Sequence, residues 1–243
     1  MKKQLTIITI CYNAKDQLLQ TIDSIRNQND QLFDFVVVDG NSSDGTKAVL
    51  EKNNDFINQW TSEPDNGIYD AMQKGVGMSV TNYVLFLNAG DTFFDGVVVQ
   101  KLNEILSTNQ PDMLVGNAWL MQDNQVRKPD ISLPRNVLSN QICHQAALYR
   151  TEYVRFDQRL GKLADYELNL RLLRDSEKAV QYVDLTICNF DQTGVSSAYG
   201  KDYLREDYLA KVYNFPLATP VFFLMYIAKH LKRITGWHGG RKS

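Results

Sequence analysis

The chain has 243 residues, 44% of them hydrophobic, and a formal net charge of −2 at pH 7. That length and apolar content fit one large domain, or one domain with an appendage, and the nearly balanced charge removes any general electrostatic case for nucleic-acid binding. Cys11, Cys143 and Cys188 are widely separated and form no CxxC pair, which argues against a zinc knuckle or disulfide framework and suits a reducing, cytoplasmic compartment.

The opening stretch "MKKQLTIITICYNAKDQ" joins two lysines to a very short apolar run that contains threonines and no small-residue cleavage site. It reads as a first strand, "LTIITI" (5–10), and not as a signal peptide. "AKDQLLQTIDSIRNQ" (14–28) places Leu18, Ile22 and Ile25 at helical spacing, and "FDFVVVDG" (33–40) is a second apolar run closed by Asp-Gly. "SDGTKAVLEKN" (43–53) begins with Ser43 and Asp44 as candidate N-caps. "INQWTSE" (57–63) reads as a weak third strand, "IYDAMQKGVGMS" (68–79) as a helix and "NYVLFLNAGD" (82–91) as a fourth strand. Strand and helix in alternation predict βαβ units, an open, mostly parallel Rossmann-like sheet, and helices on both faces.

Ligands of such sheets bind beyond the carboxyl ends of the strands. Each apolar run here ends in polar residues: Tyr12 and Asn13, then Asp39, then Glu63 and Asp65, then Asn88 and Asp91. Asp, Asn and Gly also terminate strands for purely local reasons, but four such ends on one topological edge point to a shared site. There is no GxGxxG after the first strand and no GxxxxGK[ST], so neither a dinucleotide nor a P-loop site is indicated. Carboxylates that share a crevice repel unless a cation lies between them, and hard oxygen ligands favour Mg²⁺ or Mn²⁺. The residues therefore predict a metal-bridged diphosphate with a nucleoside at the earlier strand ends.

"TIITICYNA", "VVVDGNSSDGT", "SEPDNGIYDAMQKGV", "FLNAGD", "CHQAALY" and "ADYELNLRLL" follow one another in the order and spacing of inverting family 2 glycosyltransferases. The chain resembles those of the GT-A fold that build bacterial capsule, exopolysaccharide or O-antigen units, over about residues 4–200. The resemblance implies that Asp39 hydrogen-bonds the uracil of a UDP-sugar, that Tyr12, with Asn13 beside it, packs near that base, and that Asp65 completes the nucleoside pocket. It places Lys74 within reach of the diphosphate. "NAGD" stands where the family usually writes DxD. Asn88 and Gly90 occupy positions where Asp is common, which leaves Asp91 as the metal ligand and puts tight metal binding in doubt. Asp165 matches the family's catalytic base at a helix start, where it would also act as a cap. Glu167 would point about 200° away from it. His144, in front of an apolar segment, is assigned to the donor sugar or diphosphate, against the alternative of a hydrogen-bonded structural histidine.

Residues 191–207, Gly/Ser-rich and then charged, read either as a solvated loop or as a lid over the nucleotide. Residues 95–160 would form the acceptor side, for a lipid-linked or oligosaccharide acceptor, with 1–94 the nucleotide-sugar half and 95–210 the acceptor half. Residues 211–243 form a helical extension. Within it 215–228 is almost wholly apolar and 229–243 carries Lys229, Lys232, Arg233, Arg241 and Lys242 without an acid. That apolar stretch, at about 1.5 Å per residue, is too short for a core of about 30 Å. Two readings stay open: packing on the domain or a partner subunit in a homodimer, and a peripheral membrane segment whose basic flank meets anionic headgroups at the inner face. Two rival classes are a sugar-phosphate nucleotidyltransferase, for which residues 5–20 lack the Gly and Arg of a phosphate loop, and a non-catalytic sugar-nucleotide-binding relic.

Overall fold

The computed structural model describes residues 2–193 and 202–235, the last helix with side chains to residue 230. The predicted N-terminal elements are all present: β1 (Leu5–Cys11), α1 (Lys15–Arg26), β2 (Phe33–Asp39), α2 (Thr46–Lys52), β3 (Gln59–Ser62), α3 (Ile68–Met78) and β4 (Tyr83–Phe86). β1 lies between β2 and β4, parallel to both, and β3 pairs parallel outside β2.

Both faces of β1, β2 and β4 are covered, which is why they read as unbroken apolar runs. Leu5 and Ile7 of β1, Phe35 and Val37 of β2 and Leu85 of β4 face one core with Leu18, Ile22 and Ile25 of α1. Their neighbours Ile8 and Ile10, Val36 and Val38, and Val84 and Phe86 face a second core with Met72 and Val76 of α3. The period of two along each strand thus assigns alternate residues to opposite layers. The buried threonines of β1 are satisfied: Thr6 shares a hydrogen bond with Thr81 at 2.7 Å and Thr9 donates to the Leu87 carbonyl at 2.6 Å.

The second half continues with β5 (Thr92–Phe93), α4 (Val98–Thr108), β6 (Met113–Leu120), β7 (Gln125–Arg127), α5 (Leu133–Leu138), β8 (Ala147–Arg150), α6 (Ala164–Arg174) and β9 (Val180–Phe190). The strands extend the same sheet in the order β3-β2-β1-β4-β8-β6-β9-β5, with β7 on β6. β8 runs antiparallel to both β4 and β6, and β5 antiparallel to β9, while β6 and β9 are parallel. The parallel character therefore belongs to the first half of the sheet, and the second half is mixed.

Helix α7 (Tyr203–Asn214) runs unbroken across residue 210; Ala210 lies in the second core with α6, and the chain turns at Pro216–Ala218. Helix α8 (Thr219–Thr235) is tied back to α7 by Asp207, which accepts from Lys211 at 2.6 Å and Lys229 at 2.8 Å. No helix among the described residues is long and apolar enough to cross a membrane.

Close approach of α3 to the sheet depends on Gly75, where a Cβ would stand 2.5 Å from Cγ2 of Ile8. Ile8 is β-branched on the central strand and cannot swing that methyl away. Gly75→Ala should therefore lose about 1–2 kcal/mol, overpacking of about 1–3 kcal/mol outweighing the better helix propensity of alanine. Urea unfolding reads this as a lower midpoint at unchanged slope, and an unchanged or raised midpoint would contradict it.

Candidate active site

A cleft of about 510 Å³ opens beyond the carboxyl ends of β1 and β4, lined by residues from every predicted strand end except that of β2. The loops around it are locked together. Asn13, at φ 47°, receives the Ser43 N–H on Oδ1 at 2.9 Å, and its own N–H donates to Ser42 Oγ at 2.7 Å. Asp44 accepts from the Thr46 N–H at 3.0 Å and from the Lys15 N–H at 3.0 Å. One carboxylate thus caps the start of α2 and joins it to the start of α1.

Tyr12 stands 66% exposed at one end of the cleft. Asp65 lines the same end and accepts from the Gly67 N–H at 2.9 Å. Gly40 lets them meet, since a Cβ there would lie 2.6 Å from Asp65 Oδ2 and 3.2 Å from Tyr12 Cδ2.

Two residues expected at the donor, Asp39 and Lys74, are not among those lining the cleft. Asp39 is fully buried and outside the cleft lining. Its Oδ2 accepts from the Ser42 N–H at 3.0 Å and from Ser62 Oγ at 2.7 Å, and its Oδ1 accepts from Ser42 Oγ. A carboxylate so engaged braces the loop after β2, and burial together with this neighbour pushes the Cys11 thiol far above its ordinary pKa. Lys74 is 2.9 Å from Glu63, with Asp70 at 3.8 Å, and donates to the Pro64 carbonyl at 2.9 Å. Its charge is spent on the loop before α3 and not delivered to the cleft.

At the far end, the "NAGD" turn is fixed from α1. Buried Thr21 donates to the Asp91 carbonyl at 2.8 Å and accepts from the Gly90 N–H at 3.1 Å. Gly90 sits at φ +101°, a conformation that an aspartate adopts only with strain. A Cβ there would lie 3.4 Å from Oδ2 of Asp191, so a carboxylate from the end of β9 stands beside the position where the family's DxD side chain is missing. Asp191 begins the segment that reads as a solvated loop or a lid, and nothing local in the sequence links 191 to 90. Residues 194–201, the centre of that expected lid, lie outside the described residues.

Asp91 is 3% exposed and accepts the Asp191 N–H at 2.9 Å. Burial pushes its pKa up to about 7, against the Asp191 N–H, the His144 charge and the Gln145 side chain, which pull it down. Close by, Asn88 Oδ1 is buried with no hydrogen-bond donor. No group of three or more His, Cys, Asp or Glu among the described residues could hold a metal by itself. A desolvated carboxylate short of positive charge fits a divalent cation that draws its remaining ligands from a bound diphosphate and water, as Mg²⁺ commonly does.

His144, in a single 3₁₀ turn before β8, faces the cleft beside Asn88. Its Nδ1 lies 3.1 Å from Asp165 Oδ2, and Tyr69 donates to Asp165 Oδ1 at 2.7 Å. Asp165 itself is 8% exposed in the first turn of α6, behind His144. Burial opposes charge on both partners, but their mutual hydrogen bond prevails: the His144 pKa rises and the Asp165 pKa falls. Glu167 points elsewhere, as its spacing predicted, and pairs with Arg171 at 3.5 Å. Tyr69, missed in the sequence, is 96 positions from the carboxylate it holds.

Residues 6–166 match the family described as "Glycosyl transferase family 2". An uncharacterized glycosyltransferase of Mycobacterium tuberculosis is 32% identical over 205 residues, covering 79% of this chain and 76% of that protein. The Escherichia coli UDP-Glc:alpha-D-GlcNAc-diphosphoundecaprenol beta-1,3-glucosyltransferase is 24% identical over 244 residues, 94% of each chain. The crystal structure of S. aureus TarS 1-349 in complex with UDP is similar with a TM-score of 0.71 at 16% identity, over 97% of this chain and 72% of that chain. The likeness establishes the GT-A fold.

The environment of Asp91 makes a pH-dependent prediction. Its folded-state pKa of about 7 exceeds the ordinary 3.8, so between these values the folded state binds more protons than the unfolded one and stability falls as pH rises. Asp91→Asn should raise the melting temperature at pH 8, with the gain shrinking to nothing near pH 4. Thermal melts across that range without added metal check it; a gain that grows toward acid pH would refute the buried, cation-starved carboxylate.

Proposed function

The chain belongs to glycosyl transferase family 2, and on that premise we propose that it is an inverting, metal-dependent hexosyltransferase. It moves a sugar from a nucleotide-sugar, a UDP-sugar, to a lipid-linked or saccharide acceptor in cell-surface polysaccharide biosynthesis. The observation that carries the reading is the convergence of Tyr12, Asn13, Asp65, Asn88, Asp91 and His144 on one cleft. The nucleoside lies at the Tyr12 and Asp65 end, and the diphosphate runs toward Asp91. When bound there, Mn²⁺ or Mg²⁺ neutralises charge on the departing diphosphate. The acceptor oxygen bonds to the anomeric carbon from the face opposite UDP, the bond to the diphosphate breaks, and the proton passes to the Asp165 carboxylate. Asp39 and Lys74 support the donor site at one remove, through the loops that they brace.

The acceptor class is supported by the name of the E. coli relative, which acts on a diphosphoundecaprenol-linked sugar, and by α8 and the turn before it. Leu217 is 100% exposed, Leu224 68%, Val221 57% and Phe223 50%, while 229–243 is basic without an acid. An apolar face next to a basic flank fits a peripheral enzyme at the cytoplasmic side of an anionic membrane.

Calorimetric titration of the full chain with UDP, with Mn²⁺ and again with EDTA, tests the donor site. Binding that depends on the metal supports it; none under either condition rejects it. Gly40→Ala sharpens the test: by displacing Asp65 and Tyr12 it should weaken UDP binding about tenfold, near 1.4 kcal/mol, with folding retained. Unchanged affinity would move the nucleoside away from that end of the cleft.

A further inference from the structure

We propose that the open pocket at the end of α6 seats the phosphate of an anionic phospholipid headgroup, with Arg174 as its donor. This deepens the peripheral-membrane reading above by naming the lipid group and the residue that holds it. Three observations carry it.

The first is the pocket itself. It measures about 350 Å³ and is lined by Arg171, Arg174, Asp175 and Ser176, at the last turn of α6 and just beyond it. Arg171 is spent within the protein: it lies 3.5 Å from Glu167 and donates to the Tyr153 and Arg155 carbonyls at 3.3 and 2.9 Å. Asp175 accepts the Glu177 N–H at 3.1 Å. Arg174 differs from both. It donates from Nη1 to the Asn214 carbonyl and forms no ion pair among the described residues. A guanidinium carries five N–H donors in a planar fork that matches a phosphate, so the rest of that fork is open to one.

The second is the apolar surface beside it. Asn214, which Arg174 holds, stands three residues before the fully exposed Leu217, a reach of at most about 11 Å. Val221, Leu224 and Ile227 follow at spacings of four and three and are exposed as well, so they prolong one outward stripe. The inner side of α8 is fastened: Phe222 is buried, its ring centroid 6.1 Å from that of Phe215, and Lys229 is held by Asp207 at 2.8 Å. The stripe therefore cannot turn inward without breaking these contacts. Beyond it the sequence adds Lys232, Arg233, Arg241 and Lys242 with no acid. An apolar stripe beside a cationic pocket complements a bilayer surface, where acyl chains and phosphates form adjacent layers.

The third is the length of α6. Asp165 stands in its first turn, behind His144, and Arg174 ends it. Nine residues separate them, about 13–14 Å along the axis. A phosphate seated on Arg174 sets the headgroup layer at that distance from the cleft, through one helix. A lipid-linked acceptor then reaches the cleft while its chain stays in the bilayer.

The test uses the full chain with Arg174→Gln, Ser176→Asp and Leu224→Ser, and with Lys101→Gln on α4 as a control that removes an exposed cation elsewhere. Partition is read by cosedimentation with vesicles of equimolar phosphatidylglycerol and phosphatidylcholine and with vesicles of phosphatidylcholine alone; UDP binding is read by calorimetry. The wild type should prefer the mixed vesicles. Arg174→Gln should weaken that partition about fivefold, the equivalent of about 1 kcal/mol for one charge near such a surface. Ser176→Asp, at an exposed position that leaves the Asn214 bond in place, should weaken it to a similar extent. Leu224→Ser should weaken partition to both vesicle types, while Lys101→Gln matches the wild type and every variant keeps its UDP affinity. Equal partition of Arg174→Gln, Ser176→Asp and Lys101→Gln would overturn the pocket and leave only diffuse charge. Calorimetric binding of inorganic phosphate that Arg174→Gln abolishes, with vesicle partition unmoved, would overturn it in favour of a free-phosphate site. A wild type that ignores both vesicle types rejects the peripheral-membrane reading along with the pocket, whereas absent UDP binding with these partition differences intact rejects the donor site alone.

Discussion

The placement of β1 between two parallel partners governs everything above it. Its register brings Cys11 level with Asp39 of β2 and Ile8 level with Phe86 of β4, so the chain leaves adjacent strands at one rim. Such a strand has no solvent face, and layers of α1 and α3 must cover both sides. The cleft opens where the chain turns away from the core at the carboxyl ends of these strands. Polar side chains gather there because that is where the helices stop covering the sheet.

Several carboxylates lie close to that rim, and most are compensated within the protein. Asp39 is enclosed by serine donors, Asp44 by backbone N–H groups, Glu63 by Lys74, and Asp165 by His144 and Tyr69. Asp91 has one backbone N–H and a raised pKa. Leaving one buried carboxylate short of positive charge costs stability. The cleft thus has a braced end at Tyr12 and Asp65 and an electrostatically incomplete end at Asp91.

The second half of the sheet solves a different problem. By inserting β8 antiparallel between β4 and β6, the fold places the turn with His144 beside Asn88 and directs the start of α6 at its back. The parallel pair β6 and β9 then returns the chain so that Asp191 arrives next to Gly90. None of these neighbours is close in sequence, so the Asp91 end of the cleft is assembled by topology.

The sequence by itself determined the strands of the first half, through apolar runs that end in polar turns, and it determined that Tyr12, Asn13, Asp65, Asn88 and Asp91 would share an edge, because strand order follows from βαβ handedness. The motif order also carried the family. Tertiary structure alone decided which of these groups line the cleft. Asp39 looks like a rim carboxylate until Ser42 and Ser62 close over it, and Lys74 looks like a free cation until α3 sets it against Glu63. Asp165 looks like a lone helix-start acid until β8 lays His144 across it. Local pattern fixes which residues lie at a strand end, because backbone period and turn chemistry are local; a charge's partner depends on distances across the sheet, which no local pattern contains.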